Sequence, residues 1–475
     1  MRQPDWRTPL TEAFERSVEF LDGLPKRPVG SGVSIGEVRA TLGGPLPAGP
    51  SEPRKVIAAL AAAADPGLVA TPSGRFFGFV IGGATPAALA ADWLTSVWDQ
   101  NAGLYAIGPA AAVVEEVAGA WLAELLGLPA GLSVGFVTGG QMANFTALAA
   151  ARHEVLRRSG WDVETDGLIG APPIRVLAGA ARHDTIDRAL RFLGLGTAAV
   201  TPVAADAQGR MSAGDLRTAL GDSTAPTIVC AQAGNVNSGA FDPLGEICAA
   251  AHAAGAWVHV DGAFGLWAAA SPRLRPLVAG VEQADSWATD AHKWLNVPYD
   301  SGIVFCAHPD AHRAAMGVQA SYLIHAAGDE RDQVDFNPEF SRRARGFPVY
   351  AAISALGRSG IVDLVERCCA LAGRFAAALS VADGVEVLND VVLNQVLVRF
   401  RAPGGDHDAH TRAVVQAVQR DGTCWMSGTT WHGDAAMRIS VSNWSTDEAD
   451  VDRSVDAILS AHGLVGSSET TDATR

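Results

Sequence analysis

The sequence predicts an α/β protein, with a mostly parallel central sheet in a large domain and a smaller C-terminal α+β domain. Two observations carry this reading. Between about residues 76 and 309, helix-like runs alternate with short β-rich runs, the pattern of βαβ units on a parallel sheet. Past Ser341 the alternation stops, and a long helical region leads into a shorter set of strands. The length of 475 residues exceeds what one compact core usually needs, so several structural units are expected.

Residues 1–75 read as an N-terminal arm. An amphipathic stretch over 11–24 is followed by a Pro/Gly-rich run over 25–53, expected to be loop. The cluster Gly30, Gly32 and Gly36 lies in that run behind a proline rather than a strand, so an ordinary loop is favoured over a phosphate cradle. Residues 76–350 form the expected large domain. Its helices fall at 87–98, 110–126, 141–158 and 244–254, and its strands at 134–137, 175–178, 227–231, 257–260 and 302–306. Residues 351–465 form the expected small domain, whose strands follow a long helical region running from Ser341 to about Leu379. Strands are expected near 385–388, 396–400 and 437–441, with a last helix from Thr446. Residues 466–475 read as a polar, frayed tail.

Composition narrows the function classes. Hydrophobic residues at 48% and charged residues at 18% suit a globular enzyme with a large core. A net charge of -15 argues against wrapping nucleic acid or lying on an anionic membrane. The apolar stretch 56–64 stops at Asp65, short of the roughly 20 residues that span a bilayer. No apolar run follows the opening MRQPDWRTPL, so no secretory leader is expected, and the cytoplasm is the simple location. Six cysteines without a CxxC, only Cys368 and Cys369 being adjacent, suggest neither a disulfide framework nor a metal site.

Lysine usage is sharper. Of 36 basic residues only Lys26, Lys55 and Lys293 are lysines. Base composition alone can favour arginine, but a guanidinium cannot supply the neutral amine that forms an imine. Lys293 lies in SWATDAHKWLNVPYD, on an expected turn feeding the buried strand 302–306, where burial favours its neutral, nucleophilic form. Upstream, AWVHVDGAF ends a strand in Asp261. In open parallel sheets such carboxyl ends face the ligand crevice. Asp261 could bind a metal or pair with a cation; the one potential ligand at useful local spacing is His259, on the same strand face. Pairing with a protonated pyridine nitrogen fits better. VTGGQMAN reads as strand, Thr138-Gly139-Gly140, then a helix whose N-terminus can receive an anion. His183, in GAARHDTIDRAL, opens a helix, where it can cap the helix or stack on a planar ring. His407 and His410, in GGDHDAH, read as solvated loop residues.

The ordered set TGGQMAN, RHDTIDRAL, NVNSGAFDP, HVDGAFG and TDAHKWLNVPYDSG resembles the group II decarboxylases that use pyridoxal phosphate (PLP), which include the aromatic-L-amino-acid and glutamate decarboxylases. The resemblance runs from about residue 76 to 464, and MRISVSNWSTDEADVD resembles the family's closing strand and helix. It implies fold type I and a homodimer with sites at the subunit interface, where the N-terminal arm finds a use. It further implies that Lys293 holds PLP as a Schiff base, that Asp261 pairs with the ring nitrogen, and that His183 and Ala263 take the two ring faces. Gly139, Gly140 and Gln141 are implied at the phosphate, with His292 beside it and Asn235 among the cofactor contacts.

Two departures from the family pattern stand out. Gln141-Met142 replaces the commoner Ser or Thr with Glu or Ala. In the expected mobile loop, about 322–338, Phe336 is the best counterpart of a tyrosine that assists protonation; Tyr322 and His325 are the other candidate donors. Loss of that hydroxyl is associated in the family with aldehyde-forming chemistry. Phe79 and Trp98 lie where relatives line the substrate pocket, and no basic cluster is evident there. The expected activity is therefore decarboxylation of an L-amino acid with an aromatic or other hydrophobic side chain. Alternatives are a decarboxylation-dependent aldehyde synthase, a PLP-dependent carbon–carbon lyase, and a non-catalytic PLP-fold binding protein.

Overall fold

The computed structural model describes residues 5–318 and 330–472, with side chains to residue 467. Three helices, α1 (Arg7–Gly23), α2 (Ile35–Leu42) and α3 (Pro53–Ala64), open the chain. The buried carboxylate of Glu12 joins α1 to α3, accepting from Arg16 at 3.1 Å and Arg54 at 2.9 Å. Helix α2 interrupts the run expected to be loop. Ser34 caps it, accepting from the Glu37 N–H, while Glu37 accepts from the Ser34 N–H.

Helices α4 (Pro86–Trp98) and α5 (Pro109–Leu126) lead into the main sheet. Its first elements are β1 (Ser133–Val137), α6 (Gly140–Arg158), the short α7 (Val163–Asp166), β2 (Arg175–Gly179) and α8 (Asp184–Phe192). There follow β3 (Val200–Val203), α9 (Ala213–Leu220), β4 (Thr227–Gln232), α10 (Leu244–Ala253), β5 (Trp257–Asp261), β6 (Ser286–Asp290) and β7 (Gly302–Cys306). Among the described residues, these seven strands lie in the order β1-β7-β6-β5-β4-β2-β3. Neighbours from β6 through β3 run parallel; β7 is antiparallel to both β6 and β1. The sheet is thus mostly parallel, as the alternation predicts, with one reversed strand inserted. Strands β1, β5, β6 and β7 are buried along their whole length, as a sheet covered on both faces requires. Alanines 143, 147, 150 and 151 of α6 are buried, and their small side chains bring that helix close to the sheet.

The reversed strand has a local consequence. Gly302 pairs with both Val137 and Asp290, and a Cβ added there would stand 2.4 Å from the Gly139 backbone. That approach tolerates glycine alone.

Helices α11 (Pro309–Met316) and α12 (Gly346–Ser380) follow, the latter packing on α4 and α5. The C-terminal unit contains β8 (Val385–Val387), β9 (Gln395–Phe400), α13 (His407–Asp421), β10 (Ser427–Trp431), β11 (Asp434–Ser440) and α14 (Glu448–Asp472). Its four strands form an antiparallel sheet, β10-β11-β9-β8. Strand β10 goes unnoticed in the sequence because SGTTW is small, polar and half exposed at a sheet edge. His407 and His410 are not solvated loop residues: they open α13, where the His407 ring accepts from the Ala402 N–H and buried His410 meets His462 at 2.8 Å. Residues 466–472, expected to be a tail, continue α14. Among the described residues, no helix is long and apolar enough to cross a membrane.

Several buried histidines give stability a pH dependence. Burial lowers His312 to about 3 and His259 to about 4, both from 6.5. Each is neutral when folded and gains a proton on unfolding below pH 6.5, so its contribution is full above that pH and lost as pH falls toward the folded value. Asp242 opposes them: burial raises it to about 6, so its contribution is lost as pH rises from about 4 to 6. Between pH 7 and pH 5 each of the two histidines forfeits about 2 kcal/mol, against a return of about 1 kcal/mol from Asp242. Urea unfolding midpoints are expected to be lower at pH 5 than at pH 7, with a smaller gap in His312→Phe. Equal midpoints would contradict this.

Candidate functional site

The carboxyl ends of β1, β5 and β6 converge at one edge of the sheet, and each delivers one part of the site. Strand β5 ends in Asp261, buried at the strand tip. Its Oδ1 accepts the Ala263 N–H at 3.2 Å and its Oδ2 accepts from Asn144 Nδ2 at 3.1 Å. Strand β6 ends in Asp290, and Lys293 follows on the next turn. The Asp290 N–H donates to the Ala263 carbonyl at 2.8 Å, tying the lysine turn to the Asp261 loop. Lys293 Nζ lies 3.0 Å from Asp290 Oδ2, with a side chain 20% exposed.

Strand β1 passes through Gly139 into the N-terminus of α6. The Gly140 N–H donates to Asp290 Oδ1 at 2.5 Å, and a Cβ at Gly140 would crowd that carboxylate at 2.8 Å. Both polar side-chain atoms of Gln141 are buried with no hydrogen-bond partner. An orphaned amide beside a helix N-terminus is suited to an anion that completes its bonding. His292 flanks this cradle: its Nδ1 accepts the Ser301 N–H at 3.0 Å, and Nε2 lies 3.3 Å from Asp290 Oδ1. The ring stacks on Tyr299 with centroids 4.2 Å apart, and burial lowers its basicity against the pull of Asp290.

His183 is the N-cap of α8, its Nδ1 accepting the Thr185 N–H at 3.2 Å and lying 2.9 Å from the Thr185 hydroxyl. Capping fixes the ring without consuming its faces, so capping and stacking are compatible. Burial lowers its basicity, while Asp261 pulls the other way. Phe79 and Trp98 are 56% and 46% exposed; Phe79 leans on Trp425 and Trp98 on Phe347.

Two expected residues fall elsewhere. Phe336 is not on a loop over the site: it ends a buried 3-10 turn, its ring against His312 and 4.0 Å from the Arg331 guanidinium. Its carbonyl faces Gly135, in the middle of β1. Packed in this way, it fills the core and cannot substitute for a proton donor. Asn235 is not available to a cofactor. Its Nδ2 donates to the Ala181 carbonyl and Gln232 Oε1, and its Oδ1 accepts from the N–H groups of Asn237 and Ser238, so the amide is spent closing its own turn. Tyr322 and His325 lie outside the described residues.

Three residues that the motifs do not single out complete the site. Asn144 lies one helical turn beyond Gly140 and thus on the same face, a spacing legible in TGGQMAN. Asp290 is three residues before Lys293. Arg438, a lone cation in the apolar strand β11, is buried and lowered to about 10 by desolvation. Its Nη1 lies 3.4 Å from Asn237 Oδ1, its Nε has no partner, and it has no carboxylate partner among the described residues. It is close enough to His183 to depress that ring's basicity.

An amine on Lys293, a strand-tip carboxylate on Asp261, a capped histidine and an anion cradle at Gln141 are a set of groups that suits PLP. Known proteins agree. The pyridoxal-dependent decarboxylase conserved domain matches residues 39–402. Tryptophan decarboxylase 1 of Oryza sativa subsp. japonica is 29% identical over 92% of this chain and 88% of that protein. L-2,4-diaminobutyrate decarboxylase of Rhizobium meliloti (strain 1021) is 32% identical over 78% of this chain and 74% of that protein. A crystal structure of Oryza sativa TDC with PLP and tryptamine superposes with a TM-score of 0.91 at 25% identity, covering 98% of this chain and 99% of that one. The chain belongs to the pyridoxal-dependent decarboxylase family and is a PLP-dependent amino-acid decarboxylase.

Proposed function

We propose that the substrate is an L-amino acid with an aromatic or other hydrophobic side chain, released as the amine and carbon dioxide, and that the working unit is a homodimer. The exposed aromatic rim carries the substrate reading. Tyr299 (58% exposed) lies on His292, and the exposed Phe79 belongs to the segment whose Gly82 packs on the Lys293 backbone, while Trp98 presents a further exposed ring beside Phe347. Arg438 supplies a cation for the substrate's α-carboxylate; engaged there, it is not free for an acidic side chain. The dimer reading is supported by Trp6, Leu10 and Phe14 along α1 and Trp93 and Val97 along α4, all left partly exposed.

Bound PLP supplies a ring that draws electrons from the substrate's Cα. The chain does the rest. Lys293 must be neutral to attack, and Asp290 Oδ2, 3.0 Å from Nζ, fixes the position of the amine at its turn. Asp261 presents its carboxylate to the ring nitrogen, held in place by the Ala263 N–H and Asn144 Nδ2. His183, held by Thr185, presents a neutral ring to the cofactor face. Gln141 and the α6 N-terminus hold the phosphate.

The test is carbon dioxide release by purified holoenzyme from L-tryptophan, L-tyrosine and L-phenylalanine, against L-glutamate and L-2,4-diaminobutyrate, with product mass and oxygen uptake recorded. An aromatic substrate is expected to exceed the charged ones in kcat/KM by about tenfold or more, because a hydrophobic pocket gains from apolar burial what a charged side chain forfeits. The amine is expected, without oxygen uptake. A preference for glutamate or diaminobutyrate would overturn the substrate reading.

A further inference from the structure

We propose that Trp257, Ser286, His259 and Asn144 are positioning residues, forming a one-way hydrogen-bond chain that holds the Asp261 carboxylate in place for the cofactor's ring nitrogen. The inference rests on the reading that Asp261 faces that nitrogen. The four residues are buried, so no water substitutes for a missing link.

The direction of every link follows from both ends. At one end Asp261, as a carboxylate, can only accept, so the Asn144 group 3.1 Å from it is the amide nitrogen. Asn144 Oδ1 therefore faces His259 Nε2 at 2.9 Å, and that nitrogen must carry a proton. Burial holds His259 neutral, lowered to about 4, so its Nδ1 has no proton and accepts from Ser286 Oγ at 3.0 Å. At the other end Trp257, whose indole can only donate, gives its Nε1–H to the same Ser286 oxygen at 3.0 Å. The serine proton is thereby directed to His259. Each donor points toward Asp261, the sense in which a carboxylate at the end of the chain can only accept.

Asn144 is also a hub. Its second N–H donates to Thr185 Oγ1 at 3.1 Å, which leaves the threonine proton for His183 Nδ1 at 2.9 Å. One amide thus orients the groups assigned to the ring nitrogen and to a ring face. His259 can occupy this place because, two residues before Asp261 on β5, it shares the aspartate's side of the sheet.

The test uses holoenzyme loaded with PLP labelled with 15N in its ring, in His259→Leu and His259→Gln. Glutamine can place an N–H where Nε2–H stands; leucine cannot. In wild type and His259→Gln the ring resonance is expected at the protonated position. In His259→Leu it should move toward the unprotonated position, with PLP bound about tenfold more weakly and kcat falling more than KM rises. A wild-type resonance and wild-type PLP affinity in His259→Leu would sink the proposal, however far its unfolding midpoint drops. If His259→Leu does not fold, Ser286→Ala is read the same way: a smaller shift, about threefold in affinity, supports the chain, and an unmoved resonance overturns it. An unprotonated ring in the wild type would instead refute the placement of Asp261 at the nitrogen.

Discussion

Lys293→Ala is expected to abolish turnover, by about 10⁴-fold or more, while leaving the protein folded. The loss follows from composition as much as geometry. Beyond position 55 the chain has no other lysine, so no neighbouring amine can take over. Arg438, the arginine of the site, remains protonated and cannot attack. The substitution also frees Asp290, whose Oδ2 loses its cation but whose Oδ1 keeps the Gly140 N–H. Folding should therefore survive, with far-UV circular dichroism unchanged. The checks are carbon dioxide release and the visible absorbance of the PLP-loaded protein, whose lysine-dependent band should vanish. Retention of either above a thousandth of the wild-type level would remove Lys293 from its assigned role.

Asp261→Asn is expected to lower kcat by about 10²–10³-fold with little change in KM, the size seen when one preorganised electrostatic partner is removed. The amide keeps the shape but loses the charge. It also presents a donor where Asn144 Nδ2 already donates, so one of the two amides must turn over. Turning Asn144 directs its Nδ2 at His259 Nε2, which would then have to accept, forcing the imidazole into its other tautomer. Steady-state kinetics and the cofactor's absorbance in the same variant check this: a mutant with normal kcat and a normal band would exclude Asp261 from the chemistry.

Much of the fold and of the site is legible in the sequence, and the reasons are physical. Alternating helices and strands specify βαβ units, and their strand tips specify where ligands meet the sheet, so Asp261, Lys293 and the Gly139-Gly140 turn could be placed from the sequence. The reversal of β7 could not, because GIVFC is equally apolar whichever way it runs between two buried neighbours. Helix α2 was obscured by the prolines and glycines around it, although Ser34 and Glu37 at the right spacing signal its start. The roles expected of Phe336 and Asn235 fail because a residue type does not reveal whether its surface is already committed: one ring is wedged against His312, and one amide is spent on its own turn. Asn144 is hard to single out for the opposite reason, since its importance lies in partners on β5 and α8, which only the folded chain brings to α6.

The contact between Gly302 and Gly139 bears on how the enzyme can change. Two strands of opposite direction meet at the entrance to α6 with no room for a methyl group, so position 302 is closed to substitution and the cradle beside it is held to a single shape. A library that randomises this edge should return glycine at 302 whatever activity is selected. Phe79 and Trp98, which are exposed, have space to vary instead, so under the substrate reading proposed above new specificities are expected to arise there.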